Sequence, residues 1–419
     1  MTSRERVLTA INHVQPDRVP VDFGGTFETG IAASTMYHLK KALGLLGPGE
    51  RVKVVECYQM IGEMTNDLRE ALHVDTIALY HPHSPFGFPN DDWKQWTLAD
   101  GAEVLVPGKF VTEHSPDGCF YQYPKGDRTA KPSAVMPCDG FYFDSIIRQR
   151  PIDESTLDPN DNLEEFGSYP EHILRYLEIE SRDLRGRSGK AVVYSFVGTS
   201  FGDVANTTAP ELADPAGIRD TEEWYISFAA RKDYIREVFE GQCEIGMANL
   251  ARVRDAVGDR VDVIKITGAD YGSQRGPLVS PDFYREMIKP LHTRICSWIH
   301  ENTSWKVFMH TCGGIRPLLD DIIDAGIDII SPVQTSAEGM NPQSLKDEIG
   351  ERITFWGGGV ETQSTLPFGT PEDVYREVRD RIRVFNQGGG FVFNAVHNIQ
   401  PQTPPENIIA MAEAIHDSW

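Results

Sequence analysis

The stretch 305–314, WKVFMHTCGG, predicts a buried β-strand that ends in a tight turn. Its apolar run closes on His310, Thr311 and Cys312, and two glycines follow. Side chains at positions i and i+2 of an extended strand lie on one face, so His310 and Cys312 are expected to project together. Imidazole nitrogen and thiolate sulfur are preferred ligands of zinc. The alternative is a hydrogen-bonded core histidine beside a small buried cysteine.

Similar apolar runs recur along the chain and alternate with segments of helical periodicity. They predict eight strands, at Val19–Phe23, Val74–Leu79, Ala191–Phe196, Val261–Ile266, Trp305–Met309, Ile327–Ile330, Ile353–Trp356 and Phe391–Phe393. Helices are predicted over Thr35–Leu46 and about Tyr58–Leu72. This alternation indicates an α/β protein in which residues 1–419 form a single (β/α)8 TIM barrel. An open doubly wound sheet is the second possibility, but no GxGxxG motif opens the first strand–helix turn.

One segment, residues 82–150, interrupts the alternation. It is rich in glycine, proline, aspartate and aromatic residues, and short runs such as Glu103–Val106 are typical of β-hairpins. We expect a β-rich insertion after the second strand, on the face where strand–helix loops carry barrel function. Its aromatic residues form either a small core of its own or a lid over a substrate, and the small core is the more common use. They are Trp93, Trp96, Phe110, Phe120, Tyr121 and Tyr123.

Composition excludes several classes of function. The formal net charge is -22 over 419 residues, so neither nucleic acid nor an anionic membrane surface is an expected partner. No run of apolar residues is long enough for a membrane span, and the first twenty residues lack the apolar core of a signal peptide. The six cysteines are scattered without a CxxC pair. A cytoplasmic protein with reduced thiols is expected.

Candidate functional residues follow the predicted strands, because barrel sites lie where strands end. His397 follows the last strand and is the natural third ligand beside His310 and Cys312, which makes a three-ligand catalytic zinc site. Alternatively, His397 contacts a substrate. Fourth-ligand candidates are Gln334, Glu338 and Asp270.

Further polar residues at the strand ends are candidates for catalysis and substrate binding. The catalytic candidates are Asp270, His81 and Glu361, of which Asp270 and Glu361 can also orient a metal-bound histidine or cap a loop. The substrate-binding candidates are Phe23, Thr26, His83, Gln334 and Asn394. His81-Pro82-His83 holds two imidazoles on an extended loop, where such pairs are more often ordinary surface residues.

Three motifs together resemble the uroporphyrinogen decarboxylase superfamily. They are SRERVLTAINHVQPDRVPVDFGG at 3–25, MHTCGGI at 309–315 and GGFVFNAVHNIQPQTPPENIIAM at 389–411. The resemblance implies a (β/α)8 barrel and one of two activities, decarboxylation or cobalamin-dependent methyl transfer. Decarboxylases of this superfamily carry an arginine-rich motif near the N-terminus and an aspartate that ends the second strand. Here the corresponding loop reads FGGTFETG, and the second strand ends in Leu79-Tyr80-His81.

The methyltransferase branch matches the chain better. Its thiol-methylating members bind zinc through a His-x-Cys and a later cysteine; His310 and Cys312 match the first two, and His397 stands in place of the third. The resemblance therefore implies one Zn²⁺ per chain and a corrinoid supplied by a partner protein, because no corrinoid-binding DxHxxG motif is present. A methyl group would move between that corrinoid and a small thiol, folate or methyl ether. A metal-free carboxy-lyase is the alternative, and a homodimer is a base-rate expectation.

Overall fold

The computed structural model describes residues 1–419 and shows an α/β fold built on one curled parallel sheet. Its seven strands are Thr76–Leu79, Ala191–Ser195, Val263–Thr267, Lys306–His310, Ile329–Ser331, Thr354–Trp356 and Phe391–Val392. Each strand pairs in parallel with the strand that precedes it in this series. Seven of the eight predicted strands are thus present, and all seven point the same way. Sequential parallel pairing is the arrangement found in TIM-barrel-type folds.

The predicted first strand, Val19–Phe23, is reduced to a single bridge between Val21 and Phe393. On that side, the Asp22 N–H donates to the Phe393 carbonyl (2.8 Å), and the Phe393 N–H donates to the Pro20 carbonyl (2.8 Å). The ladder does not extend, because Pro20 has no N–H and the Val21 N–H donates to the Asp75 carboxylate (3.0 Å) instead of a strand carbonyl. The segment still lies between the two edges of the sheet, since the Asp75 N–H donates to the Val21 carbonyl.

Helices cover the outside of the sheet and one end of its curl. The α-helices are Ser3–Ile11, Ala33–Ala42, Asn66–Ala71, Glu171–Arg187, Thr221–Ala230, Lys232–Val257, Pro281–Phe283, Lys289–Asn302, Arg316–Asp324, Pro342–Ile349, Thr365–Phe368, Pro371–Phe385 and Pro405–His416. Short 3₁₀ turns occur at Pro124–Gly126, Pro159–Leu163 and Gly258–Arg260, and a π-helical turn occurs at Tyr284–Ile288. None of these helices combines the length and the apolar character needed to cross a lipid bilayer.

Sequence chemistry explains where individual helices begin and which face they bury. Helix Pro371–Phe385 starts at a capping box in which Thr370 and Asp373 satisfy each other's backbone N–H groups. Val374, Val378 and Ile382 follow at a spacing of four residues and are buried on one face.

The predicted helix Tyr58–Leu72 is wrong over its first half. Strand Val52–Glu56 turns there into the short strand Ile61–Gly62, and the helix begins only at Asn66. The Glu56 carboxylate accepts the backbone N–H groups of Tyr58 (2.9 Å) and Gln59 (2.6 Å) and so stabilises a turn. Predicted helix Thr35–Leu46 runs from Ala33 to Ala42.

Antiparallel hairpins lie within 82–150, as the alternating runs predicted. Lys94–Thr97 pairs with Glu103–Val106, and Phe120–Gln122 pairs with Ala134–Met136, which pairs with Asp144–Ser145. Strand Val52–Glu56 joins the first hairpin by pairing in parallel with Glu103–Val106.

Aromatic packing fills the inside of this hairpin region. The Trp96 ring contacts Phe110 and Phe120 at centroid distances of 5.2 and 5.0 Å. Phe110 and Phe120 belong to the same continuous cluster of 91 buried residues that packs the helices on the parallel sheet.

A second cluster of nine buried residues fills the inside of the curl. It consists of Val7, Ile11, Ala191, Val193, Val263, Phe308, Ile329, Trp356 and Val392. Six of the seven parallel strands contribute to it, which shows that the sheet is strongly curved. Val7 and Ile11 come from helix Ser3–Ile11, which therefore closes the end of the curl that the strands enter. Functional groups are left to the opposite end, where the strands leave.

Candidate metal centre

Two donor side chains meet at the carboxyl end of strand Lys306–His310. His310 is the last strand residue and is 3% exposed, and its Nε2 lies 3.5 Å from the Sγ of Cys312. The predicted third ligand, His397, lies 85 positions further along the chain than Cys312. The His397 ring lies 5.3 Å from the His310 ring, centroid to centroid, at 72° to it.

Together the three residues form a donor set suited to a metal ion. One ligand atom from each of His310, Cys312 and His397 lies within 4.8 Å of the other two. Two imidazoles and one thiol are the ligand types that zinc prefers, and three protein ligands leave one coordination position open. Moreover, His310 Nδ1 is buried without a hydrogen-bond partner, so hydrogen bonding does not account for the burial of this nitrogen. These residues fit a zinc ion.

Hydrogen bonds from two neighbouring loops hold the turn that carries Cys312. Asp270 Oδ1 accepts the Cys312 N–H at 2.8 Å, and the same oxygen lies 3.9 Å from His310 Nε2. Gln334 Oε1 accepts the Gly313 N–H at 2.7 Å. The structure thus brings the predicted residues Asp270 and Gln334 to the metal centre, where both bond the backbone beside Cys312.

Burial controls the protonation of the two donors on this turn. It lowers the pKa of His310 to about 4, although Glu28 and Asp270 act in the opposite direction. Burial also raises the pKa of the Cys312 thiol well above its ordinary value, and the Asp270 carboxylate raises it further. A neutral imidazole is already in the ligating form, whereas the thiol ionises only when a cation compensates the thiolate.

An ion pair that the sequence reading missed lies beside His310. Lys265, on strand Val263–Thr267, donates to Glu28 Oε1 in the FGGTFETG loop, and both side chains are largely buried. Burial opposes ionisation of Glu28, but the Lys265 ammonium outweighs it and holds the pKa of Glu28 below its ordinary range. Glu28 Oε2 is buried without a partner. A lysine inside the otherwise apolar run VIKI at 263–266 was the available signal, since such a charge requires a partner.

Two further buried carboxylates have no cationic partner. Glu361, a predicted catalytic residue, is 5% exposed, and neither of its oxygens has a hydrogen-bond partner. The Val396 N–H donates to the Val360 carbonyl, which places the Glu361 backbone beside the His397 segment. The catalytic role of Glu361 stays a prediction. Glu56 is the second carboxylate, and burial raises its pKa to about 7.

The predicted imidazole pair His81 and His83 lies in a separate cluster of rings. The two rings are 5.7 Å apart, His81 contacts Tyr169 at 6.1 Å, and His83 contacts His172 at 6.0 Å. Burial lowers the pKa of His81 to about 4, and its Nδ1 accepts the His83 N–H at 3.3 Å. Neither ring joins the metal-binding group, so their proposed catalytic and substrate-binding roles stay predictions.

Three predicted substrate-binding residues make structural contacts in the N-terminal loop. The Phe23 ring is buried in the core against Phe393. The Thr26 N–H donates to Thr29 Oγ1 at 3.0 Å within a tight turn. The Asn394 amide donates to the carbonyls of Asp22 (2.7 Å) and Thr29 (3.0 Å), which ties the last strand to this loop. Packing and loop bonding account for the burial of all three.

Comparison with known proteins supports the family resemblance. The sequence model of the uroporphyrinogen decarboxylase family (URO-D) matches residues 217–418, a range that contains all three donors. This match supports the resemblance of the chain to the uroporphyrinogen decarboxylase superfamily. The resemblance carried by the sequence motifs is thereby confirmed.

Relatives within the superfamily are distant. The uroporphyrinogen decarboxylases of Psychromonas ingrahamii and Coxiella burnetii are 28% identical over 145 residues and 25% identical over 146 residues. Each alignment covers 34% of this chain and 39% or 38% of the relative, so the match spans less than two-fifths of these proteins. A methyltransferase from Methanosarcina mazei shares the fold with a TM-score of 0.56 over 100% of this chain and 99% of its own, at 16% identity.

Proposed function

We propose that this protein is a zinc-dependent methyltransferase that moves a methyl group between a corrinoid partner protein and a small thiol, folate or methyl-ether substrate. The observation that carries the proposal is the convergence of the His310, Cys312 and His397 donor atoms within 4.8 Å. A structural zinc site is normally closed by four protein ligands, whereas a catalytic site keeps a position open for the substrate. We further propose that segment Val19–Phe23 acts as the eighth strand and completes a (β/α)8 barrel around this centre.

The residues around the donors have defined roles in this proposal. Asp270 and Gln334 hold the turn through its backbone N–H groups, so Cys312 keeps its place when a substrate arrives. Burial keeps His310 neutral and ready to ligate. Zinc bound there would supply Lewis-acid activation of a substrate thiol or ether oxygen. The corrinoid partner is proposed from the superfamily resemblance.

A carboxy-lyase of the uroporphyrinogen decarboxylase type is the second candidate, because the curated relatives carry that name. The charges in the structure disfavour it. The N-terminal loop carries Glu28 instead of an arginine-rich motif. The neighbouring cation, Lys265, is already paired with Glu28. A substrate with several carboxylates requires unpaired arginine or lysine groups in its site.

Elemental analysis of the purified protein tests the proposal. We expect about one zinc per chain, lost in His310→Ala and in Cys312→Ser. Cys119→Ser is the matched control, because Cys119 is also a partly buried free cysteine but lies in the hairpin region; it should keep the zinc.

Two activity measurements separate the candidates. Methyl transfer from methylcobalamin to a small thiol is expected to fall at least tenfold after chelation and to return when zinc is restored. Full methyl transfer by the metal-free protein would contradict the zinc role. Carbon dioxide release from uroporphyrinogen by the chelated protein would favour the lyase instead.

A further inference from the structure

We propose that Asn398 is a positioning residue that selects which nitrogen of His397 faces the metal. This inference rests on the metal site of the proposed function and deepens it. The Asn398 side chain is 1% exposed, and its Oδ1 lies 2.7 Å from His397 Nδ1. A carbonyl oxygen only accepts, so His397 must donate through Nδ1–H. The neutral ring then has its lone pair on Nε2, which is the form that ligates a metal through that atom.

The Asn398 amide makes further hydrogen bonds to two neighbours in this orientation. Its Nδ2 donates to Gln59 Oε1 at 2.6 Å, and its Oδ1 also accepts from Gln400 Nε2. A rotated amide would place NH₂ against the Gln400 donor and against His397, and oxygen against the Gln59 oxygen. The Gln59 backbone is held in turn, since its N–H donates to Glu56 Oε2 at 2.6 Å. Two segments distant in sequence, around Gln59 and around Asn398, therefore meet where one acceptor is presented to His397.

A histidine in this position needs such a partner more than a cysteine does. A thiolate has one ligating atom, whereas an imidazole has two nitrogens and a ring that can turn about its χ2 bond. Acceptors that bond the second nitrogen of a metal-bound histidine fix its tautomer and raise its affinity for the metal. Asn398 thus equips this chain to use histidine as the third ligand.

The test uses the protein of residues 1–419 with Asn398→Leu, Asn398→Asp and a control, Asn249→Leu. The control also removes a buried amide with two hydrogen bonds, to the Tyr169 N–H (2.8 Å) and the Gly167 carbonyl (2.7 Å), on helix Lys232–Val257. Competition with a chromogenic chelator measures zinc affinity. We expect Asn398→Leu to bind zinc about 10- to 100-fold more weakly. Asn398→Asp keeps the acceptor and should bind at least as tightly as the native protein, and the control should match the native protein.

A second readout requires no metal. Nitrogen-15 NMR of histidine-labelled apo-protein reports the tautomer of His397, which we expect as Nδ1–H in the native protein and as a mixture or Nε2–H in Asn398→Leu. A native Nε2–H tautomer, or equal zinc affinity in native protein and Asn398→Leu, overturns this inference. Absence of zinc binding by the native protein overturns the proposed function instead, and the tautomer result then still decides the role of Asn398.

Discussion

At the scale of single residues, the centre combines neutral donors with buried carboxylates. His310 is neutral at pH 7, and Cys312 is a poor acid without a cation. Glu56 and Glu361 are buried and Glu28 is largely buried, and of the three only Glu28 has a lysine partner. A metal cation suits these charges, and among the proposed substrates a neutral or cationic thiol or methyl ether suits them better than folate, which is an anion.

Removal of one charge of the Lys265–Glu28 ion pair is expected to destabilise the folded state. Lys265→Met leaves a buried carboxylate without its cation, so the free energy of unfolding at pH 7 should fall by about 3–5 kcal/mol. Because Lys265 lowers the pKa of Glu28, that pKa should rise in the variant, and the deficit should shrink as the pH falls toward 4. Urea unfolding at both pH values measures this. The double variant Lys265→Met/Glu28→Gln should recover much of the loss; no recovery would assign the effect to packing.

Glu56 is expected to make stability depend on pH in the opposite sense. Burial raises its pKa from 4.5 to about 7, so the folded state retains a proton that the unfolded chain releases. Its contribution is present below pH 4.5 and is lost as the pH rises to about 7. Between pH 5 and 8 the native protein should lose about 2–3 kcal/mol relative to Glu56→Gln, which copies the protonated form. Parallel pH profiles of the two proteins in urea unfolding would contradict this.

At the scale of elements, the site is formed by two turns at strand ends, which contain Gly313 and Gly272 and whose backbones are in close contact. Gly313 has φ +90°, and a Cβ there would lie 2.3 Å from the Gly272 carbonyl carbon and 2.5 Å from the Ser273 nitrogen. Gly272 likewise has no room, because its Cβ would lie 2.5 Å from the Cys312 carbonyl oxygen. Close backbone contact between these turns holds Asp270 against Cys312. Gly313 and Gly272 are thus both required by packing between the two turns, and Gly313 is required by its positive φ as well.

Gly313→Ala tests that contact. The clash is with backbone, so we expect a loss of about 2–5 kcal/mol in stability and weaker zinc binding, because Cys312 must move. Gly388→Ala is the matched control, since Gly388 also has positive φ (+71°) but open space around it. It should cost about 1–2 kcal/mol and leave zinc binding unchanged. Equal effects of both variants on zinc affinity would show that the contact does not position Cys312.

At the scale of the whole molecule, the two ends of the parallel sheet have different tasks. The end where strands leave carries the candidate metal centre, and the end where they enter carries a network of buried charges. Asp75 is fully buried and bonds Arg6 (2.7 Å), Arg18 (2.9 Å) and the Val21 N–H (3.0 Å). This carboxylate therefore joins the first helix and the Val19–Phe23 segment to the parallel sheet. The buried charges and the candidate metal centre are thus separated along the strand direction, as stability and function are in TIM-barrel-type folds.

Asp75→Asn is expected to affect stability without affecting the site. Loss of the charge leaves two arginines short of their partner, so unfolding should become easier by about 3–5 kcal/mol, while about one zinc per chain is retained. Asp17→Asn is the control, because Asp17 also bonds Arg6 but is 39% exposed, and it should cost less than about 1 kcal/mol. Urea unfolding and elemental analysis of the refolded proteins measure both quantities. Loss of zinc in Asp75→Asn would show that the two ends are coupled.

The sequence alone determined the parallel α/β fold and the trio of donors, because both rest on local patterns. Apolar runs of strand length mark each parallel strand, and residues just past a strand end must lie at the same end of the sheet. Hence the positions of His310, Cys312, Asp270, Gln334 and His397 at one end of the sheet follow from the sequence. The apolar run Val19–Phe23, followed by two glycines, also predicted a strand. Its pairing with the sheet is limited because the Val21 N–H bonds the Asp75 carboxylate, a contact that the sequence does not reveal.

Only the tertiary structure decided which residues support the donors. Glu28 meets Lys265 across 237 positions of sequence, and Asn398 meets Gln59 across 339. No periodicity encodes such pairs, because the geometry that joins them exists only after the sheet has curled. The same holds for His81 and His83, whose strand-end position suggested the site and whose rings pack with Tyr169 and His172 instead. Local sequence sets which end of a strand a residue occupies, whereas its neighbours there depend on the packing of the whole chain.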